Sequence, residues 1–477
     1  MMKYISTRDT DLYPRSVTSA EAIKEGLAPD GGLYIPLVFP RISAGDFDAL
    51  IHMNYPERAA LVLSRFLDDY DLDELYEDCA EAYSEARFPG GPAPMHKLSD
   101  DVYSLELWHG PTSAFKDMAL QLMPRLLSRA LKMTGEDKTI HILVATSGDT
   151  GKAALEGYSD VDGVKITVFY PVDGVSEMQK RQMQTTLGDN VYVAAVEGNF
   201  DDAQTGVKRI FSDERLKEKA AEQSFIFGSA NSINWGRLVP QIVYYISSYC
   251  DLCASGEIEL GDKVNIAVPT GNFGNIFAAY LAMRMGLPVN RFICASNSNN
   301  VLTDFINTGV YDRTREFYKT ISPSMDILVS SNLERLIYTL GGAEMTKDLM
   351  EQLSRNGKYT APDSLMFEIR KYFSAYSLDE DETKEEIRET WEGDGYLIDP
   401  HTAVGLGCVR KFRLDTGDVK KTILASTASP YKFAPAVCDA IGCPTDDNIF
   451  KTLSALSEKT GCEIPTPLSS AEKLDVR

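Results

Sequence analysis

Short apolar runs rich in β-branched residues, each closed by a turn and followed by a helical pattern, recur along this 477-residue chain. Residues 139–145, 165–170, 191–196, 264–268, 291–295 and 421–425 are of this kind. Continuous apolar strands separated by helices belong to parallel sheets covered on both faces. The expected fold class is therefore α/β with open, mostly parallel sheets. In such sheets ligands sit outside the carboxyl ends of the strands, so the turns that follow the strands are where a site is expected. The chain is too long for a single core. A run of breakers, Phe88, Pro89, Gly90, Gly91, Pro92, Ala93 and Pro94, separates residues 1–95, with their short helical patterns and Gly/Pro turns, from the alternating region at 96–477. The acidic stretch at 377–390 reads as a solvated helical insertion on the outside of the molecule.

Composition excludes several classes. A formal charge of -22 leaves no basic footprint for nucleic acid or an anionic membrane, and no apolar run is long enough to span a bilayer. An anionic substrate must then be caught by a local cluster of donors against the overall field. Cys250 and Cys253 make one C-x-x-C without a second pair or nearby histidines, so no metal site is expected and the two read as buried thiols near a helix end. The first residues carry neither an apolar secretion core nor an Arg/Ser-rich presequence, and the expected compartment is the cytoplasm.

Lys116 stands in the segment His109, Gly110, Pro111, Thr112, Ser113, Ala114, Phe115, Lys116, Asp117, ahead of a long helical pattern from Met118 onward. Burial lowers an ammonium pKa, and a lysine that loses its proton can form a Schiff base and shuttle protons. The turn Gly271, Asn272, Phe273, Gly274, Asn275 follows a strand and opens a helix, which suits a phosphate monoester; it is neither a P-loop nor G-x-G-x-x-G. The turn Thr146, Ser147, Gly148, Asp149, Thr150, Gly151 offers hydroxyls and helix N–H groups to a carboxylate or phosphate, with Asp149 also able to act as a helix cap. Ser232, Asn234 and Arg237 form an amide, hydroxyl and guanidinium group, and the hydroxyls around Thr427 could face a heterocyclic nitrogen. Each turn alone is also compatible with ordinary loop chemistry. Together they describe a site for pyridoxal phosphate.

These motifs, in this order, resemble the threonine synthase family of fold-type II pyridoxal-phosphate enzymes, in its longer branch with an extra N-terminal domain. The likeness includes Tyr4 to Arg8, Gly26 to Tyr34 and the motif Ser426 to Phe433. It implies two α/β lobes within 96–477, the smaller at roughly 140–240, with the cofactor between them. It implies that Lys116 bears the cofactor, that Gly271, Asn272, Phe273, Gly274 and Asn275 hold its 5'-phosphate, and that Thr427 faces its ring nitrogen. Ser147, Asp149 and Thr150 are similar to the family's substrate-facing loop. Ser232, Asn234 and Arg237 fall among its substrate ligands, with Ser232 and Arg237 at the substrate's own phosphate. Ser429, Pro430 and Tyr431 stand where many relatives have His-Pro-Ala. The implied reaction converts O-phospho-L-homoserine and water to L-threonine and phosphate, in a monomer or weak homodimer. The alternatives are a phospho-lyase or dehydratase giving 2-oxobutyrate, a non-catalytic binding paralogue, and a dinucleotide oxidoreductase, which lacks its glycine fingerprint.

Overall fold

A computed structural model of the chain describes residues 1–476 apart from 100, 147, 173 and 199. Two sheets carry the architecture. The larger has six strands in the order Phe373–Ser377, Val289–Ser296, Val264–Pro269, Thr422–Ser426, Val102–Glu106 and Met95–Lys97. All its neighbours run parallel except the last pair. The smaller has four parallel strands in the order Val191–Val196, Val164–Pro171, Thr139–Ala145 and Phe225–Gly228. The α/β expectation holds, and all the strands read from the sequence are present. Val191–Val196 departs from that reading in one respect. It is an edge strand with Tyr192 47% and Val193 36% exposed, so its apolar run is only half covered.

Strand order decides where a ligand can sit. Val264–Pro269 lies between Val289–Ser296, which follows it in the chain, and Thr422–Ser426, reached only near the end. Thr139–Ala145 lies in the same way between Val164–Pro171 and Phe225–Gly228. Each is a point where successive connections leave toward opposite edges, opening a crevice beyond the strand's carboxyl end. The turn 270–275 and the residues 146 and 148–151 lie at those two crevices.

The helical pattern from Met118 is divided into Asp117–Leu120 and Met123–Met133. Pro124 explains the break, because its ring would collide with the carbonyl of Leu120 and it donates no N–H. The acidic stretch forms the helix Glu380–Asp394, which buries Thr383, Glu386, Ile387 and Thr390. Among the described residues no helix is long and apolar enough to cross a membrane.

The N-terminal residues fold as helices Ser19–Glu25, Ala44–Ile51 and Tyr55–Ser64, each opened by a reciprocal capping box from Thr18, Ser43 or Asn54. They do not form a detached unit. Trp235, fully buried, packs between Tyr4 at 5.3 Å and Phe66 at 5.6 Å. One apolar core runs from Tyr4, Ile23 and Leu63 through Trp235 and Tyr244 to Ile266. A second lies under the C-terminal helices around Leu406, Leu424 and Leu453.

Candidate active site

The lysine turn is fixed from two sides. Within it, the Asp117 carboxylate accepts from the Thr112 N–H at 2.8 Å and the Thr112 hydroxyl at 2.7 Å, and burial pushes that carboxyl up to about 6. Ser113 takes a left-handed backbone (φ 57), a strained choice for a residue with a Cβ. Across the sheet end, the Phe115 N–H donates to the Thr427 carbonyl at 2.8 Å and the Ser429 N–H to the Ser113 carbonyl at 3.1 Å. Lys116 thereby stands against the end of strand Thr422–Ser426. Its side chain is 12% exposed. Burial brings its ammonium down to about 8; Lys432 and Arg237 push the same way and Asp149 opposes them.

Asp149 begins the helix Asp149–Tyr158, after a Gly148 with φ 132 whose missing side chain would start 2.3 Å from Gln179. Its carboxylate caps no backbone N–H among the described residues. It pairs with Lys432 Nζ at 2.7 Å, accepts from Gln179 Nε2 at 2.9 Å and from the Ser324 hydroxyl at 3.2 Å, and lies 3.8 Å from Lys116 Nζ. Burial would raise this carboxyl, but Lys432 and Lys116 overcome it and hold it well below the usual range. Lys432 is fully buried and donates to the Thr112 carbonyl at 2.8 Å. The Thr146 hydroxyl accepts the N–H groups of Gly148 at 3.0 Å and Gly151 at 2.9 Å. Those of Asp149 and Thr150 have no acceptor among the described residues. Ser147 lies outside the described residues.

At the second crevice the turn 270–275 enters the helix Gly274–Met285 through Phe273, held left-handed at φ 58 with no side-chain cap. Its carbonyls are drawn outward. The Ser330 hydroxyl donates to Gly271 O at 2.7 Å, and the N–H and Nδ2 of Asn332 both reach Asn272 O at 3.0 Å. Among the described residues nothing accepts from the N–H groups of Gly271 through Ile276. Unopposed amides at a helix start are an anion site. Asn275 Oδ1 accepts from the Tyr244 and Tyr245 hydroxyls, while its buried Nδ2 has no partner among the described residues. Gly271 admits no side chain, since a Cβ would lie 2.6 Å from Ser324 O.

The 231–237 segment divides. Ser232 accepts from Asn332 Nδ2 at 3.2 Å, which sets it beside Gly274 at the glycine turn. Asn234, expected among the substrate ligands, has its polar side-chain atoms engaged within the fold. Its Oδ1 caps Gly236 N at 2.8 Å and its Nδ2 binds Ile23 O at 2.9 Å and Ser229 O at 3.1 Å, so its polar atoms tie the loop to the N-terminal helix. Arg237 is 3% exposed, donates to Ala230 O at 2.6 Å, leaves Nε unpartnered and has no carboxylate partner among the described residues. Burial lowers its guanidinium to about 10. A buried cation without a counter-charge is costly, and an anionic ligand relieves it. Thr427 is 6% exposed, and its hydroxyl has no partner among the described residues. The unusual Tyr431 turns away from the site, donating to Cys462 O at 2.6 Å.

Lys432, Ser324, Asn332 and His401 escaped the sequence reading. His401 is held by Asp399 at 2.7 Å and accepts the Ser324 N–H at 3.2 Å, so it anchors the segment that reaches Asp149. Only Lys432 lay within a recognised motif; nothing local marks the others. The assembled donors fit a phosphorylated aldehyde cofactor. A lysine near neutrality meets the aldehyde, an open N–H array and the orphaned Asn275 Nδ2 meet a phosphate, and a free hydroxyl meets a ring nitrogen.

Comparison with known proteins agrees. Residues 87–425 match the family model "Pyridoxal-phosphate dependent enzyme", and residues 3–83 match "Threonine synthase N terminus". The chain is 42% identical to human threonine synthase-like 1 over 92% of its own length, and spans 60% of that relative's length. It is 40% identical to threonine synthase of Pseudomonas aeruginosa, covering 91% of this chain and 90% of that one. The structure of PLP-bound threonine synthase from Brucella melitensis superposes with a TM-score of 0.87 at 35% identity, covering 100% of this chain and 95% of that one. That of the yeast enzyme gives 0.88 at 32%, covering 99% and 94%. The chain belongs to the threonine synthase family of fold-type II, pyridoxal-phosphate-dependent enzymes.

Proposed function

We propose that this chain converts O-phospho-L-homoserine and water to L-threonine and phosphate, the last step of threonine biosynthesis, in the cytoplasm and as a monomer or weak homodimer. The carrying observation is Lys116, poised near pKa 8 beside an Asp149–Lys432 pair, with two sets of anion-binding groups around it. The N–H groups of Gly271, Asn272, Phe273, Gly274 and Asn275, with the Ser232 hydroxyl, hold the cofactor phosphate. Thr427 faces the ring nitrogen with a neutral hydroxyl. When bound, pyridoxal phosphate supplies the electron sink for carbanionic charge next to the amino group.

Lys116, in its neutral form, takes the proton from Cα of the substrate and returns one later. Asp149 keeps the Lys116 amine oriented, and Ser324 and Gln179 keep Asp149 in place. Lys432 and Arg237 set positive charge where the γ-phosphate departs, which matters in a chain of charge -22. Thr150 and the free N–H groups of Asp149 and Thr150 receive the substrate carboxylate.

The test is to supply O-phosphohomoserine and measure threonine, phosphate and 2-oxobutyrate together. Equal threonine and phosphate is the expected result. Ketoacid in place of threonine turns the enzyme into a phospho-lyase on the same site, and no product at all removes the substrate assignment.

A further inference from the structure

We infer that the N-terminal domain positions the cofactor-phosphate cradle, through Glu334 and Arg335, by fixing Asn332 behind the 271–275 turn. The path runs through hydrogen bonds to Glu334 and Arg335, which are neighbours in the chain. The Thr7 hydroxyl donates to Glu334 Oε1 at 2.5 Å, and Arg8 grips the same carboxylate at two points, Nε to Oε1 at 2.8 Å and Nη2 to Oε2 at 2.6 Å. Thr7 is itself fully buried and accepts the Leu33 N–H at 2.9 Å. The next residue, Arg335, is fully buried over the Trp235 ring at 5.9 Å. Its Nε donates to the Tyr34 carbonyl at 3.0 Å, its Nη2 to Ile233 O at 2.6 Å and its Nη1 to Ser232 O at 3.4 Å and to Asn332 Oδ1.

That last bond determines which way the Asn332 amide faces. With Oδ1 held by Arg335, Nδ2 must point to Asn272 O and Ser232 Oγ. Asn272 O, held by both this Nδ2 and the Asn332 backbone N–H at 3.0 Å, is occupied on the side away from the open N–H groups. The Ser232 hydroxyl, already accepting from Asn332, keeps its own hydrogen free for an anion. A buried Arg offers donors only, so it cannot hold Oδ1 unless the carbonyls of Tyr34, Ser232 and Ile233 take its remaining edges. Tyr34 opens the strand Tyr34–Pro36 and Thr7 directly follows its antiparallel partner Tyr4–Ser6, so both contacts come from the N-terminal domain. Asn332, Arg335 and Arg8 act through the turn's backbone and are positioning residues.

The inference rests on assigning the 271–275 turn to the cofactor phosphate, and one experiment separates the two. Apo-protein is titrated with pyridoxal phosphate and with pyridoxal, which lacks only the phosphate, by following the visible absorbance of the lysine-bound carbonyl. Wild type must prefer the phosphorylated form; equal affinity overturns the turn assignment itself. Asn332→Ala is expected to lose about tenfold in affinity for pyridoxal phosphate while changing that for pyridoxal less than about twofold. Arg8→Gln, at a partly exposed side chain, removes the charge that pairs with Glu334 and is expected to move the same ratio in the same direction, by about threefold. A parallel loss for both ligands, or an unchanged ratio in Asn332→Ala, overturns the positioning role. An unchanged ratio in Arg8→Gln overturns the link to the N-terminal domain.

Discussion

Lys116 acquires its chemistry from neighbours at the scale of single side chains. Burial drives its ammonium down to about 8, Asp149 draws it back, and Lys432 and Arg237 add to the fall. The neutral amine therefore grows as pH rises through about 8, and uptake of pyridoxal phosphate by apo-protein should accelerate to that point and then level off. Lys432→Met removes one repelling charge and frees Asp149 to attract Lys116 alone, so the midpoint should move up by about one unit. Stopped-flow uptake across a pH series measures this, and an unmoved midpoint would contradict the coupling. Lys116→Ala should abolish threonine formation, by at least about 10³-fold, and with it the visible absorbance. Appreciable residual turnover would remove Lys116 from the chemistry.

At the scale of elements, the helix Glu380–Asp394 is acidic and mostly exposed yet turns Glu386 inward. Arg410 lies 3.1 Å from its Oε1 without hydrogen-bond alignment, and burial pushes the carboxyl up to about 7. The folded state then holds a proton that the unfolded chain has lost, so stability falls as pH rises from the ordinary glutamate range through about 7. Glu386→Gln should stabilise the protein on the order of 1 kcal/mol at pH above 8 and little at low pH. Melting curves at the two extremes read this out, and equal shifts at both would refute it.

Over the whole molecule, the apolar core joins Tyr4, Leu63 and Phe66 to Trp235, Tyr244 and Tyr280. Arg58, buried in an N-terminal helix, also donates to Ser247 Oγ at 2.8 Å and pairs with Asp251 at 2.5 Å on the helix Pro240–Ala254. Domains that share a core unfold together. Removing residues 1–86 should therefore leave an insoluble or molten protein, whereas the full chain should lose the N-terminal and catalytic regions in one calorimetric transition. A stable, cofactor-binding fragment from such a truncation would show the N-terminal helices to be an accessory.

Backbone periodicity and turn chemistry are local, and local information sufficed for much of this protein. The strands at 139–145, 191–196 and 264–268, the lysine turn and the glycine turn were legible because alternation, breakers and helix starts are written in consecutive residues. Strands Phe225–Gly228 and Phe373–Ser377 were not, being short and, in the second, half hydroxyl-bearing, so that only their neighbours make them strands. The same limit applied at the site. Lys116 was visible, but its depressed pKa comes from burial, with Lys432 and Arg237 adding to the fall and Asp149 opposing it, and all three lie far from it in the chain. Ser232 and Asn234 look alike in sequence; the fold sets one beside the glycine turn at 271–275 and makes the other a helix cap. Burial, charge pairing and the direction of an amide depend on distances through space, and those exist only once the sheets and the N-terminal helices have closed on one another.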